Sequence, residues 1–301
     1  MPPPPLPLLL FLLPPLLLLL KRRDRPPPPR VLRPGLVLLR KAVPPAKQRS
    51  LAELVLAHGH RRHFWVTPAG GGSPELNNAR QGRGRIYAAL ASYPQAPFLA
   101  AMCASLTAAA CAADEAMPGV EPTHLLAMYY ARDRRLGWHR DDGANDGRSE
   151  QPVVSLSLGD ACDFLLRDEA GDLIELRLES GDALLFGGPA RWIRHSVAKV
   201  HAGTCPAFLL PAHEEAAREA PEGSAAAPET FRLNLTFRNA PELFGREGEE
   251  KFHYFAKSAR KFAEGCKVDG VEEARRKVVE GRRGRKEAKK KRREERGVVK
   301  G

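Results

Sequence analysis

The chain has 301 residues and a formal net charge of +12, with 48 Lys and Arg against 36 Asp and Glu. The basic charge belongs to the ends: residues 1–50 carry 10 basic residues and one Asp, residues 271–301 carry 14 basic and 6 acidic residues, and residues 51–270 carry 24 basic and 29 acidic residues. The five cysteines are scattered without a CxxC pair, which argues against a disulfide framework or structural zinc and favours a reducing compartment.

Residues 1–32 are predicted to be disordered or to carry a targeting signal. Their apolar run, Leu6–Leu20, is interrupted by Pro14 and Pro15 and is too short for a transmembrane helix, so no stable membrane insertion is expected. Because no basic residue precedes the run and no small-residue cleavage site follows it, a targeting presequence and an artefact of start-site choice both stay open. The sequence leaves the compartment open between the nucleus, a plastid or mitochondrion, and the cytoplasm.

Folding signals begin near residue 33, and one folded domain is predicted over residues 33–245. A turn dipeptide and a strand-like apolar run open it, and residues 51–58 and 86–116 are predicted to be helical. From Pro122 to Arg238 the pattern changes to short β segments separated by turns, which are HLLAMYY, PVVSLSLG, CDFLLRD, LIELRLESGD, ALLFGG, CPAFLL and FRLNLTFR. This spacing of short strands predicts a sandwich or barrel, and therefore a mainly β fold with flanking helices, of the α+β class.

Two polar segments accompany this domain. Residues 212–230 are predicted to form a flexible insertion, and residues 246–301 a basic C-terminal extension. The basic run Arg275–Arg296 is typical of a segment that binds phosphate backbone or directs nuclear import, and equally of a solvated helix end.

The stretch GWHRDDG, Gly137–Gly143, places two acids directly after a histidine. In an extended segment residues i and i+2 face the same way, so His139 and Asp141 would offer an imidazole and a carboxylate to one metal ion. One more histidine would complete the facial triad that binds iron and leaves three coordination positions open. Because an H-x-D motif is frequent by chance, a solvated loop stays the alternative for the motif alone.

The third ligand must come from elsewhere in the β region. His195 is the best candidate, because it lies where the chain re-enters the sheet after a strand and a Gly-Gly turn. His124, His201 and His213 compete with it. His124 precedes its predicted strand, and the other two lie at the edge of the predicted insertion, which is a poor base for a rigid ligand.

The segment FRLNLTFR, Phe231–Arg238, is the most informative of the chain. On a strand its polar residues share one face, and these are Arg232, Asn234, Thr236 and Arg238. Two inward arginines are costly unless anions neutralise them, and about 20 Å between their Cα atoms leaves room for a small dicarboxylate held at both ends. An outward polar face paired with surface acids is the alternative.

The order of these motifs along the chain resembles that of the AlkB-type iron(II)/2-oxoglutarate-dependent dioxygenases. The order is an H-x-D motif, a β region, a histidine and an R-x-N-x-T-x-R strand. Within that family the chain is most similar to the AlkB homologue 1 group of plants and algae. The segments that carry the resemblance are LLAMYYARDRRLGWHRDD, QPVVSLSLGDACDFLLRD, SGDALLFGGPARWIRHSV and RLNLTFR. The resemblance implies a double-stranded β-helix core of the jelly-roll or cupin kind, with His139, Asp141 and His195 as ligands of Fe(II).

The resemblance also implies a cosubstrate site and an activity. Arg232 would bind the distal carboxylate of 2-oxoglutarate and Arg238 the carboxylate next to the keto group, with hydrogen bonds from Asn234 and Tyr130. The implied reaction is oxidative demethylation of N-methylated bases in DNA or RNA by a monomer. It uses Fe(II), 2-oxoglutarate and O2 and releases formaldehyde, succinate and CO2.

Two positions depart from the pattern of the family. Met128 stands where many relatives have an asparagine, so one hydrogen bond to 2-oxoglutarate would be missing and its affinity lowered. Gly143 stands where some relatives carry an acid that contacts the substrate, although Asp142 is adjacent, and this leaves the methylated base open.

The lid that covers the substrate in the family would lie within residues 58–85. Phe64, Trp65 and, just beyond, Tyr87 are candidates for stacking on a flipped base, with core packing as the alternative for each. Two other functions stay open beside demethylation. One is a catalytically weak nucleic-acid-binding protein, which Met128 supports, and the other is a dioxygenase of protein side chains, which needs no basic tail.

Overall fold

The computed structural model describes residues 26–78, 82–131, 134–141, 150–168 and 170–240, and all of these except 68–71 belong to one unit. The predicted C-terminal extension and most of the predicted N-terminal segment lie outside the described residues. The same is true of Asp142 and Gly143.

The described residues form thirteen strands and three α-helices. The helices are α1 (Pro45–Arg62), α2 (Ala96–Ala113) and α3 (Leu210–Ala217). The strands are β1 (Arg30–Arg33), β2 (Leu36–Leu39), β3 (Trp65–Val66), β4 (Glu75–Leu76), β5 (Arg83–Ala89), β6 (His124–Ala131), β7 (Leu136–His139), β8 (Val153–Gly159), β9 (Ala161–Arg167), β10 (Leu173–Leu178), β11 (Ala183–Phe186), β12 (Arg194–His201) and β13 (Phe231–Arg238).

The strands pair antiparallel in three sheets. The large sheet has the order β1-β2-β11-β8-β13-β6-β5, the small sheet has the order β10-β9-β12-β7, and β3 and β4 form a separate pair. The non-consecutive neighbours show that the chain crosses repeatedly between the two larger sheets. This is the mainly β architecture with flanking helices that the sequence predicts.

The large sheet separates two layers, because successive residues of a strand face opposite sides. On β6 and β13, apolar odd-numbered residues such as Leu125 and Leu235 join the helices in what we call the helix-facing core. Even-numbered residues of β6, such as Met128 and Tyr130, meet residues of the small sheet in what we call the inter-sheet layer. The polar residues of β13 lie on this second side.

Helix α1 confirms and extends the helix predicted at residues 51–58. It begins at Pro45, where a proline is favourable because the first helical residue needs no N–H donor. Its buried residues are spaced by about one turn, so that one face packs into the helix-facing core. Helix α2 is long and apolar enough to cross a membrane by length and composition, and Leu99, Leu106 and Ala110 on its buried face pack in the same core.

The single helix predicted over residues 86–116 is wrong in its first part. Residues 83–89 form β5, which pairs with β6 from Arg83 opposite Tyr130 to Ala89 opposite His124. Leu90–Ser92 forms a short 3-10 turn, and the α-helix is confined to Ala96–Ala113. The alanines favour a helix locally, but seven consecutive pairings with a buried neighbouring strand outweigh that preference.

Residues 205–217 also differ from the prediction. The segment CPAFLL does not form a strand, since its end makes a short 3-10 turn that leads into α3. The predicted flexible insertion therefore begins with a helix, which buries Ala212, His213 and Ala216. The His213 Nε2 atom lies 3.1 Å from the Tyr129 hydroxyl oxygen, which ties this helix to β6.

Candidate metal centre

The structure brings together the three predicted metal ligands. His139 is the last residue of β7 and lies directly opposite His195 on β12, and Asp141 follows two residues after His139. The Asp141 Oδ1 atom lies 3.8 Å from Nε2 of His139 and 3.9 Å from Nε2 of His195. Candidate ligand atoms of all three lie within 4.8 Å of one another, so a single ion can contact all of them.

The backbone orients both imidazole rings. The Nδ1 atom of His139 lies 2.8 Å from the Gly137 carbonyl oxygen, and that of His195 lies 3.1 Å from the Ile193 carbonyl oxygen. Because each carbonyl accepts the Nδ1 proton, each Nε2 keeps its lone pair for a metal. Burial lowers the pKa of His195 to about 4, so this ring is neutral at physiological pH.

Asp141 is held in its charged form. Its carboxylate is buried, and Oδ1 lies 2.7 Å from Nη2 of Arg238. Burial by itself raises the pKa of Asp141, but the positive charges nearby, led by Arg238, outweigh it and hold the pKa below its ordinary value. Two imidazoles and one ionised carboxylate on one side are the donor set of the facial iron triad. The residues therefore fit an iron ion.

The triad lies at a cavity of about 260 Å³ between the two larger sheets. Polar side chains of β13 and β8 line one part of it, which are Asn234, Thr236, Arg238 and Ser155. Apolar side chains line another part, among them Leu126, Met128, Phe186 and Val197. A larger open groove of about 740 Å³ beside α1 contains no comparable cluster of metal ligands among its lining residues. The smaller cavity is therefore the candidate site.

The residues predicted to bind 2-oxoglutarate all lie on the inter-sheet side of β6 and β13. Tyr130, Asn234 and Arg238 line the cavity, whereas Arg232 lies directly opposite Tyr130 and is fully buried. The two Nη atoms of Arg232 donate hydrogen bonds to the Asp160 carbonyl at 3.1 Å and the Ser157 hydroxyl at 3.0 Å. The alternative of an outward polar face on β13 is wrong.

Asn234 is fixed by its own strand and the neighbouring one. Its Nδ2 atom donates a hydrogen bond to the Ser155 hydroxyl at 2.9 Å, and its Oδ1 atom accepts one from the Thr236 hydroxyl at 2.8 Å. Met128 is directly opposite Asn234 and lines the same cavity. Met128 therefore faces the candidate site, and its side chain offers a thioether and no amide there.

Two arginines of β5 were missed by the sequence interpretation. Arg85 lies opposite Met128 and lines the cavity, and burial, followed by the charge of Arg238, lowers its pKa. Arg83 lies opposite Tyr130 and is 1% exposed. The signal was available as R-G-R-I-Y, in which Arg83, Arg85 and Tyr87 alternate with small or apolar residues, but the alanines that follow favoured a helix.

The predicted lid residues have different positions. The Phe64 ring is fully buried between Gly59 and Gly84, and a Cβ atom added to either glycine would lie within 2.8 Å of that ring. Phe64 is therefore a core residue. The Trp65 indole N–H donates a hydrogen bond to Nδ1 of His60 at 3.1 Å, while Tyr87 is half-buried with the Arg238 guanidinium 5.8 Å from its ring centre.

The competing histidines are engaged elsewhere. The Nδ1 atom of His124 lies 2.7 Å from the Thr123 hydroxyl, and Nε2 of His201 lies 2.8 Å from a carboxylate oxygen of Asp163. His213 contacts Tyr129, as described above. None of the three belongs to a metal-ligand cluster among the described residues.

Residues 35–238 match the 2OG-Fe(II) oxygenase superfamily. The chain is 39% identical over 126 residues to "DNA N(6)-methyladenine demethylase ALKBH1C" of Arabidopsis thaliana, a match that covers 40% of this chain and 25% of that protein. It is 31% identical over 127 residues to "Alpha-ketoglutarate-dependent dioxygenase AlkB" of Escherichia coli K12, which covers 41% of this chain and 48% of that protein. The chain thus spans between a quarter and a half of the length of these curated relatives.

The solved structure of OsALKBH1 has a similar fold. It superposes with a TM-score of 0.52 at 24% identity and covers 70% of this chain and all of that one. This likeness, together with the family match, confirms that the two larger sheets form the double-stranded β-helix core expected from the sequence.

Proposed function

Since the chain belongs to the 2OG-Fe(II) oxygenase superfamily, we propose that it is an oxidative demethylase of N-methylated bases in DNA or RNA. The observation that carries the proposal is the convergence of His139, Asp141 and His195 on one point at the inter-sheet cavity. The names of the Arabidopsis relatives support the choice of a methylated base as substrate.

In this proposal His139, Asp141 and His195 bind Fe(II). Bound iron would supply the chemistry for hydroxylating an N-methyl group, with O2 and 2-oxoglutarate as co-reactants and succinate and CO2 as products. The resulting N-hydroxymethyl group loses formaldehyde and leaves the unmethylated base. The protein contributes ligand orientation, since both Nδ1 atoms are held by backbone carbonyls, and it contributes charge, since Arg238 keeps Asp141 ionised.

The cosubstrate would lie along the inward face of β13. Arg232 and Tyr130 would bind the distal carboxylate at one end, and Arg238 the carboxylate next to the keto group at the other, with Asn234 between them. Strand geometry supports this arrangement, because the alternating positions of β13 point to the same face over its whole length. The apolar side chains of the cavity would keep water away from the reacting atoms.

Several finer expectations belong to the same proposal. Residues 33–245 would form the catalytic domain, and the basic segment 246–301 would add contacts to phosphates. We expect a monomer without stable membrane insertion. The choice between DNA and RNA, and between N6-methyladenine, N1-methyladenine and 3-methylcytosine, is left to experiment.

Single-turnover release of succinate tests the proposal. The full chain is incubated with Fe(II) and 2-oxoglutarate, with and without matched DNA and RNA oligonucleotides that carry each of the three methylated bases. We expect succinate and formaldehyde in equal amounts with at least one oligonucleotide, and none from Asp141→Ala. Absence of turnover with retained oligonucleotide binding would favour the nucleic-acid-binding alternative, and turnover on peptides alone would favour a protein hydroxylase.

A further inference from the structure

Arg83, the first residue of β5, has no role in the site as described so far. It lies directly opposite Tyr130 on β6, which in turn lies directly opposite Arg232 on β13. Residues that are directly opposite on neighbouring strands point to the same face of a sheet. The two arginines therefore flank Tyr130 on the inter-sheet side, and their Cζ atoms lie 5.6 Å and 5.9 Å from the centre of its ring.

Both guanidinium groups are buried, and each residue is 1% exposed. Within the described part of the chain, no hydrogen-bond partner contacts Nε or Nη1 of Arg83, or Nε of Arg232. The partners of the two Nη atoms of Arg232 are a carbonyl and a hydroxyl, which carry no negative charge. Two buried cations that no anion contacts are strongly unfavourable unless an anion joins them.

Asp160 does not supply that charge through a direct contact of its carboxylate. Asp160 bonds to Arg232 through its backbone carbonyl, whereas its carboxylate Oδ1 accepts hydrogen bonds from the backbone N–H groups of Thr204 and Cys205. Among the described residues, neither Arg83 nor Arg232 forms an ion pair. The distance across two strand spacings is about 10 Å, so two arginine side chains can converge on one small anion beside Tyr130.

The geometry points to Arg83 as a second guanidinium for the distal carboxylate of 2-oxoglutarate, which then lies between Arg83 and Arg232. This inference rests on the proposed function, since it takes 2-oxoglutarate as the occupant of the cavity. It assigns Arg83 a part in specificity: two cations at this end select a dicarboxylate over an oxo acid of the same length that lacks the distal charge. Succinate keeps that carboxylate, so Arg83 also sets the affinity for the product.

Calorimetric binding to the Mn(II)-loaded full chain tests the assignment without turnover. The ligands are 2-oxoglutarate, succinate and 2-oxovalerate, which has five carbons but no distal carboxylate. We expect Arg83→Met to lower the affinity for 2-oxoglutarate and succinate by about tenfold to a hundredfold, the effect of losing a charge-assisted hydrogen bond. The affinity for 2-oxovalerate should change less than about twofold, because that ligand never used the interaction.

The matched control is Arg167→Met. Arg167 is an exposed arginine on β9 whose guanidinium lies 5.1 Å from the Trp138 ring centre, and its loss should leave all three affinities unchanged. Arg83→Lys keeps the charge without the planar donor group and should lower the affinity for 2-oxoglutarate and succinate by an intermediate factor. This variant serves as the test if Arg83→Met does not fold.

An equal loss for all three ligands in the Arg83 variants, or no loss for any, would overturn the assignment and leave Arg83 a structural residue. Failure of the parent protein to bind 2-oxoglutarate would instead overturn the proposed function, and the assignment with it.

Discussion

The two sides of β6 and β13 share a backbone but carry different chemistry. On the helix-facing side these strands present Leu125, Tyr129 and Leu235, which pack in a continuous apolar core. On the inter-sheet side they present Met128, Tyr130 and the polar series of β13, which surround the candidate site. Because the side-chain period of a strand is two, one strand can stabilise the fold with every second residue and leave the others for ligands. Substitutions on the two sides should therefore have separable effects.

The largest effect is expected beside the inter-sheet layer, at Asp141. Asp141→Ala should abolish tight Fe(II) binding and turnover, because two neutral imidazoles alone hold Fe(II) poorly. It also removes the carboxylate that pairs with Arg238, so some stability will be lost. Asp141→Asn, whose amide oxygen still accepts a hydrogen bond, should lose iron but retain more of that stability.

Anaerobic Fe(II) titration and thermal unfolding of both variants check this expectation. Asp163→Ala is the control, because Asp163 is a partly exposed acid that pairs with His201 away from the site. Parent-like iron binding by Asp141→Ala would show that the triad is wrong.

On the helix-facing side, Leu235→Ala should affect stability alone. Leu235 is fully buried, and truncating a buried leucine typically lowers the free energy of unfolding by about 2–5 kcal/mol. Denaturant unfolding measures this loss, and 2-oxoglutarate binding to the folded variant should equal that of the parent. The neighbouring substitution Thr236→Ala, on the opposite face, should lower the affinity for 2-oxoglutarate and change the free energy of unfolding little. If Leu235→Ala changed ligand affinity and Thr236→Ala only stability, the assignment of the two faces would fail.

Two buried histidines on the helix-facing side should make the free energy of unfolding depend on pH. Burial, with the charge of His213 as a smaller cause for His60, lowers the pKa of both His60 and His213 to about 4. In an unfolded chain the pKa of histidine is about 6.5, so between pH 6.5 and 4 the unfolded chain takes up protons that the folded protein does not. The free energy of unfolding should therefore be highest above pH 6.5 and fall as the pH drops towards 4, by roughly 2–3 kcal/mol per imidazole.

Denaturant titrations of the metal-free protein at pH 7.5 and 4.5 measure this fall, to which His195, with its pKa also lowered to about 4, adds equally in the parent and in a His213 variant. His213→Gln should have a shallower pH dependence than the parent. An identical slope for both proteins would mean that another group titrates.

Back on the inter-sheet side, Arg232→Ala should raise the KM for 2-oxoglutarate by one to two decades. It removes a charge-assisted partner of the distal carboxylate, which contributes about 1.5–3 kcal/mol. Mn(II) affinity should stay unchanged, because Arg232 is not one of the three clustered metal ligands. An unchanged KM would contradict the placement of the cosubstrate along β13.

The smallest effect is expected at Met128. Met128→Asn replaces a thioether that lines the cavity by an amide, and the added hydrogen bond should improve 2-oxoglutarate affinity by about fivefold, equivalent to about 1 kcal/mol. Met128→Leu is the control, because it keeps the size without adding a donor. If the Asn variant binds no better than the Leu variant, the site satisfies the cosubstrate through another group, and Arg85, opposite Met128, is the first to examine.

The sequence predicted those features that depend on the alternation of side chains along an extended strand. The inward face of β13 and the His139–Asp141 pair follow from a period of two, and both lie as expected. It failed where pairing partners decide the structure. Strand β5 looks helical until β6 is placed beside it, and residues 212–217 look flexible until helix α1 packs against them and Ala212 and Ala216 become buried. The arginines of β5 were missed for that reason.

The position of strand β7 at the edge of the small sheet bears on how the metal ion enters and leaves the site. Strand β7 is four residues long and pairs with β12 alone among the described strands, whereas β13 is paired on both sides. Amide hydrogens of β7 should therefore exchange with solvent through local opening at a low free energy, while those of β13 exchange only in larger openings. Such opening would carry His139 away from His195 and leave the large sheet in place. We therefore expect metal uptake and release to require only this local opening, whose free energy is lower than that of global unfolding.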